Sequence, residues 1–159
     1  MRTVTLNDEI KIGYPDGFHV MDSEELKNVR LVVDGPVVCL KDPDRHVIIT
    51  AGCKEINGFS AFMLKQKDIA KKMEVDVSFA QKMYGYKKTG SFQREIGGDL
   101  ADGFGYTYKA QGIDMYGESF VVKKAKKIFY YHFYVRQEFR EKNIRVWEEI
   151  LASVTDCLD

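Results

Sequence analysis

The stretch FGYTYKAQGIDMYGESFVVKKAKKIFYYHFYV, residues 104–135, decides the fold. Aromatic and β-branched residues alternate with polar or small ones, and turn-forming residues interrupt the pattern twice. Turns at Gln111-Gly112 and at Lys124-Ala125-Lys126 predict a three-stranded antiparallel meander over residues 103–110, 113–123 and 127–135. In that register Tyr108 faces Met115, Tyr106 faces Gly117 and Phe104 faces Ser119. Across the second hairpin Ser119 meets Tyr131 and Gly117 meets Phe133, so small residues stand where rings need room. Side chains alternate across a strand, which gathers Phe104, Tyr106, Tyr108, Val121, Phe129, Tyr131 and Phe133 on one face. The opposite face then carries Tyr116, Glu118, Phe120, Val122, Ile128, Tyr130, His132 and Tyr134. Both faces are aromatic, so both are expected to be at least partly covered.

Downstream, Ile144, Trp147, Leu151 and Val154 recur at helical spacing, which predicts an amphipathic helix from about Asn143 to Asp156. Strands followed by a covering helix indicate an α+β domain. Upstream, Val4–Leu6 and Ile10–Tyr14 read as short strands, the second closed by Pro15-Asp16-Gly17. Ser23-Glu24-Glu25-Leu26 reads as a helix start, with Asp22 or Ser23 able to cap the first amides, and Asp34-Gly35-Pro36 ends that segment. Pro36–Leu40 and His46–Ala51 form a hairpin turning at Asp42-Pro43-Asp44, with Cys39 near Ile48. Residues 60–83 read as one helix with an apolar stripe of Ile69, Met73, Val77, Ala80 and Met83. A further strand spans about 91–97, and the glycine-rich segment 97–105 reads as a turn between strands. No repeat, low-complexity stretch or linker divides residues 1–159, so one domain is expected.

This order of elements resembles the PsbP/Mog superfamily, which includes DcrB-like bacterial proteins. The resemblance spans nearly the whole chain. It rests on the opening strand ending Tyr14-Pro15-Asp16-Gly17-Phe18, the helix–hairpin–helix–meander order and the closing Trp147-Glu148-Glu149-Ile150-Leu151-Ala152-Ser153-Val154. It implies a central antiparallel β-sheet with helices packed on both faces, a PsbP/Mog-like α/β/α sandwich. It also implies a non-enzymatic binding or accessory protein of bacterial type, with a protein partner that the fold does not name. A chaperone-like variant of that role requires an exposed apolar groove.

Composition narrows the remaining classes. Of 159 residues, 24 are Lys or Arg and 24 are Asp or Glu, so no net field attracts nucleic acid or acidic membrane. No apolar run is long enough to span a bilayer, and the acidic turn of the opening residues MRTVTLNDE leads us to expect no secretory leader and a cytoplasmic protein. The three cysteines, Cys39, Cys53 and Cys157, lack zinc or dithiol spacing and are expected to be reduced and structural. Segment 97–105 has no phosphate-loop lysine, and Asp99 with Asp102 supplies too few of the roughly six to eight oxygens calcium takes. No catalytic set, cofactor site or metal site is expected.

Three surfaces remain as candidates. The face carrying Tyr116, Glu118, Tyr130, His132 and Tyr134 suits a protein partner, because these side chains combine apolar bodies with polar tips. Within it His132 opposite Glu118 suggests a pH-dependent latch or a small-molecule anchor, against a plain cross-strand pair. Residues 66–83 resemble a helix-turn-helix, with Glu74-Val75-Asp76 as the turn, which would make the protein a DNA-binding regulator. Glu74 stands where such turns carry glycine, and only Gln81 and Lys82 would reach DNA, so one long packed helix is the plainer reading. Lys123-Lys124-Ala125-Lys126-Lys127 is either a phosphate or acidic-partner contact or a solvated turn.

Overall fold

The computed structural model of the chain describes residues 1–28 and 35–157. In chain order it contains β1 (Arg2–Leu6), β2 (Ile10–Tyr14), β3 (His19–Val20), α1 (Ser23–Leu26), β4 (Val37–Asp42) and β5 (Val47–Glu55). Helices α2 (Gly58–Met63) and α3 (Gln66–Ala80) follow, then β6 (Lys87–Ile96), β7 (Asp99–Ala110), β8 (Ile113–Lys124) and β9 (Lys127–Arg136). Helix α4 (Arg140–Ala152) and the short β10 (Thr155–Asp156) close the chain. Seven strands form the main antiparallel sheet in the order β3-β4-β5-β9-β8-β7-β6, and β1-β2-β10 form a second, three-stranded one.

The two faces of the main sheet are covered differently. On one, Trp147, Ile150 and Leu151 of α4 and Leu6, Ile10 and Ile12 of the small sheet pack on Phe120, Val122, Phe129, Tyr131 and Phe133. On the other, Ile69, Met73 and Val77, a stripe of α3 at intervals of four, pack on Phe104, Tyr106, Val121 and Ile128. The α+β architecture with helices on both faces is therefore as expected. The small second sheet, which adds to the helical layer on one side, was not.

The first hairpin of the meander has the expected register: Tyr108 pairs with Met115, Tyr106 with Gly117 and Phe104 with Ser119. The second is displaced by one residue. Lys124 pairs with Lys127, leaving a two-residue loop, so Ser119 meets His132 and Gly117 meets Tyr134, while Glu118 meets Phe133. The cause is Ala125, which takes φ 52, a backbone conformation more usual for glycine or asparagine. A one-residue slip moves every side chain of a strand to the other face. Phe129, Tyr131 and Phe133 thus lie toward α4, not with Phe104 and Tyr106 as the three-residue turn predicted.

Other boundaries differ for tertiary reasons. Residues 60–83 are not one helix, because Leu64 is extended between α2 and α3, where Lys123 Nζ donates to the carbonyls of Ala61 and Leu64. Helix α3 runs unbroken through Glu74-Val75-Asp76, so a helix-turn-helix is absent there. Ala80 is exposed and Met83 is 93% exposed, so both fall outside the buried stripe. The last helix stops at Ala152, where the Gly97 N–H donates to the Leu151 carbonyl, and Thr155 and Asp156 pair with β2. Cys39 lies opposite Thr50, not Ile48, and Cys53 lies opposite Phe129; all three cysteines are free. Asp22 caps α1 in a capping box with Glu25, whereas the end expected for that segment at Asp34 lies outside the described residues.

Gly117 tests this register directly, since a Cβ there would stand 2.5 Å from the buried Tyr106 ring. Gly117→Ala is expected to destabilise the fold by about 1–3 kcal/mol through displacement of that ring, read as a lower urea midpoint at unchanged slope.

Candidate functional site

The five residues expected on one surface are divided between the two faces of the sheet. Tyr116 and Glu118 point toward α4, and each is 1% exposed. Glu118 accepts four hydrogen bonds: from Arg94 Nε at 2.8 Å and Nη2 at 3.1 Å, from Tyr116 Oη at 2.7 Å and from Trp147 Nε1 at 2.9 Å. The paired guanidinium and two neutral donors satisfy a charge that burial would otherwise penalise. Arg94 also lies over the rings of Phe92 and Phe120, and Arg140 sits 3.7 Å from the centroid of Tyr116. This cluster joins β6, β8 and α4.

His132, Tyr130 and Tyr134 lie on the α3 face. His132 is 1% exposed, and its Nδ1 is 2.6 Å from Ser119 Oγ. Ser119 Oγ is 3.3 Å from Tyr106 Oη, which in turn hydrogen-bonds with Tyr134. The His132 ring stacks on Tyr134 at 6.0 Å. Burial pushes the imidazole down to about 4 and raises the Tyr106 and Tyr134 hydroxyls well above the ordinary tyrosine range. The ring is neutral at pH 7, and no Glu118–His132 pair exists. The latch or ligand anchor read from that pair is overturned by the one-residue change of register.

The α3 face leaves an open groove at the end nearest the β7–β8 turn. Its volume is about 400 Å³, and Ile48, Tyr84, Tyr108, Met115 and Tyr134 supply its apolar wall. Asn28, Gln81, Lys109 and Gln111 stand at its polar margin. Of the five expected residues, Tyr134 alone lines it. Tyr130 is half-buried on the same face and packs against the α3 cluster. Ile48, Tyr84 and Met115 escaped sequence reading because they come from separate elements; the only available sign was the aromatic content of β7 and β9.

The basic hairpin tip is mostly engaged within the molecule. Lys124 Nζ meets Asp99 at 2.7 Å and Asp156 at 3.1 Å, and Lys127 Nζ meets Glu9 at 2.6 Å. Asp102 accepts from Gln66 and Gln93, and among the described residues no His, Cys, Asp or Glu cluster could hold a metal ion. His19 is an exposed partner of Glu25, and His46 stacks on Phe139. No described helix is long and apolar enough to cross a membrane.

Two substitutions separate the buried networks. Glu118→Ala leaves Arg94, Tyr116 and Trp147 without their acceptor and is expected to cost roughly 3–5 kcal/mol in chemical denaturation. His132 makes stability fall as pH drops. The unfolded chain takes up a proton near the ordinary value of 6.5 and the folded one only near 4. The loss develops between those values, on the order of 3 kcal/mol. His132→Gln should flatten that part of the pH profile relative to wild type.

No family model and no curated protein matches the sequence. Solved structures do match over most of its length. Cyanobacterial PsbP (CyanoP) from Synechocystis superposes with a TM-score of 0.66 at 14% identity, covering 94% of this chain and 87% of that one. LpqN from Mycobacterium tuberculosis, involved in cell envelope biogenesis, gives 0.58 at 14% identity over 92% and 82% of the two chains. A Bacteroides thetaiotaomicron protein gives 0.60 at 14% identity over 92% of this chain, which spans only 44% of that protein. The chain thus has the PsbP-like fold, at a remote distance in sequence from these neighbours.

Proposed function

We propose that the protein is a non-enzymatic binding module that holds an apolar or aromatic segment of a partner protein in the groove on the α3 face. The observation that supports this reading is the groove's lining. Tyrosines offer large surfaces with polar tips, and Met115 offers an adaptable one. Gln81 and Gln111 at the margin are suited to hydrogen-bond a peptide backbone. The segment that contributes Gln81 and Tyr84 also leaves Phe79 81% and Met83 93% exposed, more apolar surface than a solvated helix end needs.

Two features favour binding over catalysis. Ser119 and His132 are close enough for nucleophile and base, but both are buried, at 0% and 1% exposure. The groove itself holds no such pair. Buried free thiols at Cys39 and Cys53 agree with a reducing cytoplasmic setting. The envelope role of LpqN belongs to that protein, and the shared fold selects no partner.

Selection of a displayed random-peptide library on the intact protein tests the proposal. Enriched peptides should carry aromatic or large aliphatic anchors, and Met115→Lys should weaken them about tenfold or more, since one buried apolar anchor is worth that much. No enrichment, or peptides indifferent to Met115→Lys and Tyr84→Ala, would refute it.

A further inference from the structure

The segment around α2 presents its apolar side outward. None of its six residues is buried; Phe59 is 76%, Phe62 86% and Met63 57% exposed, and Leu64 beyond it is 38% exposed. A short helix lying on a sheet normally turns such residues inward. Here polar bonds hold it the other way. Asn57 accepts from the Ser60 N–H at 2.7 Å, and the Ile56 N–H donates to the Lys126 carbonyl at 2.8 Å. Lys123 Nζ reaches the carbonyls of Ala61 and Leu64 at the other end of the helix. The β8–β9 hairpin therefore fixes α2 without using its apolar residues. Leu100, 57% exposed, lies at the same end of the molecule, where its carbonyl accepts from Gln66.

The surroundings are basic although the whole chain is neutral. Lys54, Lys65, Lys67 and Lys126 are exposed, and among the described residues none of the four forms an ion pair. The Lys126 ammonium lies beside Gly58, 4.0 Å from where a Cβ would stand. At the same end Asp99 and Asp156 are held by Lys124, which leaves exposed Glu55 and Asp68, among the described residues, as the nearby carboxylates without an ion-pair partner, against four such lysines.

The geometry points to this end of the molecule as a docking surface for an anionic lipid bilayer. Phe59, Phe62 and Met63 enter the headgroup–acyl boundary, and the four lysines meet lipid phosphates. A protein partner fits the observations less well, because lysine is depleted at protein interfaces. Rings that project from a protruding helix also need a surface that closes around them, as fluid lipid does. The patch is separate from the peptide groove. Strand β8 runs from Met115 in the groove to Lys123 beside α2, about 26 Å at about 3.3 Å per residue. A bilayer docked on α2 leaves the groove open.

Flotation of the intact protein with vesicles tests this, using phosphatidylcholine alone and an equal mixture with phosphatidylglycerol. Wild type should float with the mixed vesicles, lose that association in high salt, and stay behind with phosphatidylcholine alone. Phe59→Ser/Phe62→Ser and Lys65→Glu/Lys126→Glu, all at exposed positions, should each lower the bound fraction about tenfold or more. Met83→Ser, at the far end of the sheet, should leave it unchanged. Wild type that fails to float, floats equally on both vesicles, or is indifferent to both double variants overturns the proposal. So does a dimer in sedimentation that Phe59→Ser/Phe62→Ser dissolves, which would assign the face to a second copy. Peptide selection at the groove is independent of every one of these results.

Discussion

The docking of α4 on the sheet depends on the buried carboxylate of Glu118. Glu118 sits in the middle of β8, reaches the edge strand β6 through Arg94 and the closing helix through Trp147. Its cost of burial is met only when all of these donors arrive together. The requirement is geometric as much as energetic. Arg94 must come from β6 at the right register, and α4 must cross so that the Trp147 indole nitrogen points at the sheet while its ring stacks on Phe133. A helix packed by apolar contacts alone could slide; one whose indole must find a carboxylate has a preferred position.

The α3 side follows a different logic. There the polar groups at the centre are neutral and linked in series, His132 to Ser119 to Tyr106 to Tyr134. The first members are deeply buried and Tyr134 ends in the groove. The pH response and the proposed binding groove thus belong to one face, while the Glu118–Arg94 cluster belongs to the other. A register displaced by one residue at Ala125 would have merged them into a single polar face. The actual pairing keeps a charged pair and a neutral chain apart on opposite sides of one strand.

The two proposed binding surfaces lie at the two ends of β8. At one, the sheet extends past its helical cover and aromatic side chains frame an open groove. At the other, the hairpin carries α2 with its phenylalanines outward. The proposed module would rest on a surface by one end and hold a protein segment at the other, with Ser119 and His132 deeply buried between them.

Sequence alone was enough for the α+β class, the order of the longer elements, the first hairpin with its Tyr106–Gly117 pair and the α3 stripe of Ile69, Met73 and Val77. These depend on local periodicity and on a turn marked by Gly112, signals carried within a few residues. Tertiary structure decided what no local pattern states. Ala125 adopted a conformation its side chain does not favour, which moved His132 away from Glu118. Lys123 separated α2 from α3, and β2 drew Thr155 and Asp156 out of the last helix. The groove required Ile48, Tyr84, Met115 and Tyr134 to converge from four segments. The Ala125 turn is local but carries no glycine or asparagine to mark it; the other outcomes rest on contacts between residues far apart in the chain, and such contacts leave no periodic trace in sequence.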